Sequence, residues 1–216
     1  MGIISRFPAG ATKPYIEETY NSDGQLISVN MYGHDAIRDY EFFYCANLAL
    51  ISLPSGITSV GISAFEGCSS LALTSLPSGI TSIGNTAFYD CTNLALTSLP
   101  SGITSIGHSV FESCTNLALT SLPSGITSIG TSAFRNCSSL ALTSLPSGIT
   151  SIGTSAFRNC SSLVSLTFEG TPERISDSAF INCNNLITIN VPWAEGAVAD
   201  APWGATNATI NYGHTG

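Results

Sequence analysis

The sequence predicts a solenoid, mainly β, in which short coils of chain stack side by side. Three observations predict it. The segment Leu117–Ser139 (LALTSLPSGITSIGTSAFRNCSS) recurs without change as Leu140–Ser162, and altered copies start at Leu48, Leu71, Leu94, Leu163 and Leu186. This period of 23 residues lies in the range of stacked repeat architectures, whose units contact only their neighbours. Phe and Cys recur at fixed offsets within it, as core columns would. Charge is scarce: 9% of the 216 residues are charged, against roughly 25% in an ordinary soluble domain. Between Leu48 and Ser162 the charged residues are Glu66, Asp90, Glu112, Arg135 and Arg158, and Ser and Thr supply the polarity instead.

Residues 1–47 read as an N-terminal cap. Tyr15–Tyr20 and Gln25–Tyr32 flank Asn21-Ser-Asp-Gly24, and two such runs around an Asp-Gly predict a β-hairpin. Ile37, Phe42 and Cys45 precede Val60, Phe65 and Cys68 by one period, so 25–47 is also a degraded first repeat. The segment is more polar than the body, as suits a closure for the open apolar end of a solenoid.

Residues 48–185 hold six repeats. In the reference copy, Leu117–Leu122 is a short extended piece stopped by Pro123, which lacks an N–H and ends strand pairing. Ser124-Gly125 turns the chain, and Ile126–Ile129 is a second extended piece closed by Gly130. Ser132–Cys137 reads as a short helical or 3-10 turn with Thr131 or Ser132 as cap; Phe134 and Cys137, three apart, share its inner face. Leu117, Leu122, Ile126, Ile129, Ala133, Phe134 and Cys137 are expected to point inward. Stacking then aligns Phe65, Phe88, Phe111, Phe134, Phe157 and Phe180, and beside them Cys68, Cys91, Cys114, Cys137, Cys160 and Cys183. Burial of each Phe or Leu is worth roughly 1.5–3 kcal/mol. Seven cysteines on one ladder predict buried, unbridged thiols, because ladder residues point the same way rather than at one another. Residues 186–216 read as a last strand and a C-terminal cap, with a final β segment in Ala205–Tyr212. About seven coils at the strand spacing make a stack roughly 30–40 Å long.

The pattern L-x-x-[LI]-x-[LVF]-P…I-x-x-I-G-x-x-A-F-x-x-C, repeated across 48–192, resembles the BspA-type leucine-rich repeat. The closing VPWAEGAVADAPWGATNATINY also resembles an ending found on repeat proteins of gut bacteria and their phages. The resemblance implies a right-handed leucine-rich-repeat solenoid with a parallel sheet on its concave side. It also implies bacterial surface proteins that bind host matrix proteins or other cells, without catalysis.

One feature departs from that pattern. The third inward strand position is apolar at Ile51, Leu166 and Ile189 but is Thr74, Thr97, Thr120 and Thr143 in the central copies, with Leu50, Leu73, Leu96, Leu119 and Leu142 beside it. Strict alternation of faces would turn these Leu residues outward with Ser75, Ser98 and Ser121, as an exposed stripe suited to binding. A local register change would instead turn the Leu inward and leave the Thr at the edge.

A second candidate face is variable between copies. It includes Tyr89, His108, Glu112, Arg135 and Arg158, where packing imposes least; it reads either as a recognition surface or as plain solvated exterior. Trp193 and Trp203 read as sugar-stacking platforms or as a plug over the last coil. His34, His108 and His214 are far apart, and the Cys ladder has no His at ligand spacing, so no metal is expected. No Ser sits in G-x-S-x-G and no Gly-rich phosphate loop occurs, so neither catalytic residues nor a cofactor are expected. A pocket joining His34 or Asp35 to the first coil would be needed for catalysis. The net charge of −8 makes nucleic acid and anionic membrane poor partners, and no apolar run reaches membrane-spanning length. The start, MGIISRFPAG, lacks the apolar stretch of a secretory signal. The expected function is non-enzymatic binding or adhesion to a protein or glycan on a cell surface. The expected setting is extracellular or virion-associated. The second reading is a structural spacer or phage tail-associated module with no ligand of its own.

Overall fold

The computed structural model describes residues 15–214. Strands β1 (Tyr15–Tyr20) and β2 (Leu26–Tyr32) pair antiparallel. Asn21 closes the turn between them, its side-chain oxygen accepting the backbone N–H groups of Asp23 and Gln25. The chain then winds into a parallel-sheet β-solenoid of about eight turns.

One wall of the solenoid is built from two-residue strands at the Ser-Ile of each repeat. These begin with β3 (Ala36–Ile37), β4 (Ser59–Val60) and β5 (Ser82–Ile83), which form one parallel sheet. They continue with β6 (Ser105–Ile106) and β7 (Ser128–Ile129). A second wall begins at β8 (Ser144–Leu145), after which β9 (Ser151–Ile152) returns to the first. Next come β10 (Ser165–Phe168) on the second wall and β11 (Arg174–Ile175) on the first. The chain closes with β12 (Thr188–Asn190) and β13 (Thr209–Asn211), so the second wall runs β13-β12-β10-β8 and the first β11-β9-β7-β6. Partners lie one period apart: Ile129 faces Ile106 and Ile152.

The core runs the length of the stack. Seven Phe rings from Phe42 to Phe180 stack at centroid spacings of 5.1–5.7 Å, with interplanar angles of 20° or less. The rings are fully buried together with Leu117, Ile126, Ala133 and their equivalents. Gly61, Gly84, Gly130 and Gly153 sit where neighbouring coils touch backbone to backbone. A Cβ at Gly153 would lie 2.6 Å from the Thr131 nitrogen, so only glycine fits.

The segment expected to be helical is not. Among the described residues there is no α- or 3-10 helix. Along Ser132–Cys137 alternate N–H groups leave the coil: Ser132, Phe134 and Asn136 donate to the carbonyls of Thr154, Ala156 and Arg158 at 2.8–2.9 Å. The groups between them donate three residues back within the coil, as from Cys137 to Phe134 at 3.1 Å. Ser132 and Asn136 adopt φ of 55° and 62°, which no right-handed helix allows. The i→i−3 bonds imitate a 3-10 turn in sequence spacing, but half of the backbone is committed to the next coil.

Candidate binding faces

The Leu stripe is internal. Leu50, Leu73, Leu96, Leu119 and Leu142 are all buried, whereas Thr74, Thr97, Thr120 and Thr143 are exposed. In the coil that carries the longer strand β10, Leu163, Leu166 and Phe168 point inward, Val164 and Ser165 face out, and the faces alternate from Ser165 to Phe168. In the reference coil the inward set is Leu117, Leu119 and Leu122, and Thr120 and Ser121 both face out. The inward turn thus comes one residue early. A leucine offered beside a threonine takes the core site, because burying a hydroxyl without a partner costs what burying the isobutyl group gains. The chain bends at Thr120 and the wall lacks a regular strand there. The ladder is kept by single bonds such as Ala118 N–H to the Leu96 carbonyl, 3.1 Å, and Ala141 N–H to the Leu119 carbonyl, 3.1 Å.

What this wall shows to solvent is hydroxyl. Ser75, Ser98 and Ser121 are exposed beside the Thr column. On the other wall Thr58, Thr81, Thr104, Thr127 and Thr150 form a second exposed column. There the hydroxyls turn back onto the stack: Thr127 Oγ1 donates to the Thr104 carbonyl at 3.1 Å and Thr150 Oγ1 to that of Thr127 at 3.0 Å.

The variable residues line the turn segments, but not all reach solvent. Glu112 is buried, accepting from Ser109 Oγ at 2.7 Å and pairing with Arg135 at 3.4 Å. Tyr89, Arg135 and Arg158 are half-buried, and His108 is exposed with its ring 3.3 Å from Ser109 Oγ. Burial first, then the carboxylates of Glu112 and Asp90, raises the Tyr89 phenol above its ordinary pKa of 10.0. The next column, Asp90 and Ser113, becomes an amide ladder from Asn136 on: Asn159 Nδ2 donates to Asn136 Oδ1 at 2.7 Å, and Asn182 Nδ2 to Asn159 Oδ1 at 3.0 Å.

Sequence reasoning missed a cluster at the first coil. Tyr40, Phe43 and Tyr44 are exposed aromatics whose rings meet edge to face. The signal was present, since Phe43 stands one period before Glu66 and Tyr44 one period before Gly67, in the columns that vary most.

The tryptophans are not surface platforms. Trp193 and Trp203 are buried, packed on Phe168 and on each other at 5.3–6.3 Å, and Trp203 Nε1 donates to the Ala199 carbonyl. They seal the last coil. The ladder cysteines are free, and Cys68 through Cys183 are buried. Each of these thiols donates to the Phe carbonyl of the preceding coil, as Cys137 Sγ does to Phe111 at 2.9 Å. Among the described residues no three His, Cys, Asp or Glu side chains come together as a metal site, and no helix is long and apolar enough to cross a membrane.

Comparison with known proteins agrees with this geometry. No curated protein matches the chain. A leucine-rich repeat protein from Bacteroides ovatus is similar in structure, with 23% identity and a TM-score of 0.56. The match covers 84% of this chain but 47% of that one, so this chain spans about half its length. A leucine rich cell surface protein from Faecalibacterium prausnitzii matches with 20% identity and a TM-score of 0.52, covering 85% of this chain and 72% of the other. The family model for the BspA type leucine rich repeat region matches residues 35–144 and 127–196 in six copies. The stacked Phe and Cys columns and the matched repeats give one result: the chain belongs to the BspA-type leucine-rich repeat family.

Proposed function

We propose that this chain is a non-enzymatic binding module, which uses an extended solenoid face to hold a protein or glycan on a cell surface. Leucine-rich repeat proteins are in general interaction modules. The observation that carries the reading is the long, regular exterior: columns of Thr and Ser repeat from coil to coil on two walls, with Tyr89, His108, Arg135 and Arg158 varying along the turns. An extended, rigid face of this kind offers many weak polar contacts at once, with little ordering cost on binding. The description of a similar structure as a cell surface protein supports an extracellular setting. Capture assays with the full chain against matrix proteins, glycans and whole bacterial cells test the reading. Saturable capture of one of them is the expected result, and uniform failure across all three removes it.

The spacer reading is favoured by a different observation. Leu117–Ser139 and Leu140–Ser162 are identical, and hydroxyls such as Thr127 Oγ1 are spent on the stack itself. A spacer or virion-associated tail module needs no more than this. It predicts no saturable capture and a tolerance for changes in length.

A further inference from the structure

We propose that the N-terminal end of the turn face is a docking site for a cationic segment of another protein, one that presents Lys or Arg side chains. The inference rests on the binding reading and narrows it to a place and a chemistry. Tyr40, Phe43 and Tyr44 are 58%, 44% and 60% exposed, whereas the other phenylalanines among the described residues lie inside. The backbone that carries these rings is anchored. Tyr40 N–H donates to the Ile62 carbonyl at 2.9 Å and Tyr44 N–H to the Glu66 carbonyl at 2.7 Å, which anchors the coil to the next. The second coil leaves room for the Tyr44 ring: a Cβ on Gly67 would lie 2.6 Å from it. Ring centroids of Phe43 and Tyr44 stand 4.5 Å apart, edge to face, so the π-faces point in different directions.

Carboxylates follow these rings in the same columns, Glu66 one period after Phe43 and Asp90 two periods after Tyr44. Glu66 and Asp90 have no cation partner among the described residues, whereas Glu112, farther along, is taken by Arg135. The Tyr89 phenol, half-buried one period after Glu66, is raised by burial first and then by Glu112, Asp90, Tyr44 and Glu66. Arg38 is the cation of the first coil, and no ion pair joins it to a carboxylate among the described residues. Exposed aromatic faces beside unpaired carboxylates attract ammonium and guanidinium groups through the ring quadrupole and by direct charge. The net charge of −8 steers a cationic partner towards the chain and repels an anionic one.

The probe is a labelled lysine–serine peptide, with its glutamate–serine counterpart as control, titrated into the full chain by fluorescence anisotropy at two salt concentrations. The expected result is binding of the lysine peptide alone, weakened by salt. Tyr44→Ala should weaken it about five-fold, and the Glu66→Gln, Asp90→Asn pair about tenfold with a flatter salt dependence. Phe43→Ala carries the same test should Tyr44→Ala disturb folding. Failure of the lysine peptide to bind, equal binding of the glutamate peptide, or affinities unchanged in the variants overturns the proposal. Self-association abolished by Tyr44→Ala also overturns it, since it gives the face to a second copy. If the wild-type chain captures a cell surface but no lysine peptide, this site falls and the binding reading stands; failure of both removes both.

Discussion

A cysteine in this chain does two jobs that neither serine nor alanine does as well. Its small apolar body fills the space beside the Phe column, and its S–H reaches the Phe carbonyl of the preceding coil, as from Cys114 to Phe88 at 3.0 Å. That carbonyl already accepts the N–H of Cys91 at 3.2 Å, so the thiol completes its second lone pair. The ladder was legible from spacing alone, because a column repeated once per coil has to lie on one side of the stack. The Leu and Thr choice was less legible, since strict alternation is a rule for regular strands and Leu119 wins the core by bending the chain at Thr120. The thiols also set a pH dependence. Burial first, then the neighbouring Cys45 thiol, pushes Cys68 up to about 12 from an ordinary 9.0, and burial pushes Cys183 up to about 11. Cys91, Cys114, Cys137 and Cys160 are raised further inside the stack by the same cause. These are acids kept neutral in the fold. Below 9.0 both states hold the protons and their contribution is complete; above it the unfolded chain releases protons that the native chain retains. Stability should therefore stay level up to about pH 9 and fall between there and 11–12, each thiol adding up to about 1.4 kcal/mol per pH unit. Urea midpoints measured across this window check it. Cys114→Ala should cost about 1–2 kcal/mol at neutral pH yet make the alkaline decline shallower. A decline as steep as in the wild type removes the thiols as its cause.

At the scale of an element, the turn is the part that sequence spacing misrepresents. A turn with bonds from residue i to i−3 shows the same apolar spacing whether it continues as a helix or breaks its direction at every second residue. What decides here is the positive φ recurring at Ser63, Thr86, Ser109, Ser132 and Ser155, and again at Asp90, Ser113, Asn136, Asn159 and Asn182. Small polar residues and Asn tolerate that region best, so a column of Ser followed four residues later by Asp or Asn is the readable trace of this turn. The column also predicts where the protein is under-optimised. Asn159 Nδ2 donates to Asn136 Oδ1 at 2.7 Å, but Asn136 Nδ2 in turn donates to Ser113 Oγ at 3.3 Å, a longer bond to a hydroxyl. Ser113→Asn puts the preferred residue at φ 63° and extends the amide ladder towards Asp90, where a carboxylate is available to accept. We expect a gain of about 0.5–1 kcal/mol, read as a higher urea midpoint with unchanged slope. A loss of stability shows that the serine is there for space, not for want of an amide.

Across the whole molecule, stability is a sum over neighbouring coils, and the sum is uneven. The turn ladder is continuous through the centre, as Phe88 N–H to the Val110 carbonyl shows, but β5 and β6 belong to different sheets. Near that gap Leu76 and Ile83 are only half-buried. The solenoid thus has a weaker joint between its third and fourth Phe-bearing coils, and stronger joints towards Phe157 and Phe180, whose rings lie 5.1 Å apart and 1° from parallel. The identical copies allow a clean test of what the length is for. Removing Leu117–Ser139 joins Asn116 to Leu140, and because Leu140–Ser162 repeats the deleted sequence, the new junction reads the same as the native one. Phe111 then stacks on Phe157 in place of Phe134, with the same residues around both. The shortened chain should fold cooperatively, with a lower denaturant slope in proportion to the surface one coil no longer buries. The consequence for binding separates the alternatives. A ligand held along the extended face loses the contacts of one coil and its affinity drops by a step, while a ligand held only at the Tyr44 end keeps its affinity, because that end is several coils from the deletion. A spacer shows neither effect and changes only the distance it spans. Loss of folding in this variant would instead show that the coils are not interchangeable, against the additive stacking on which all three outcomes depend.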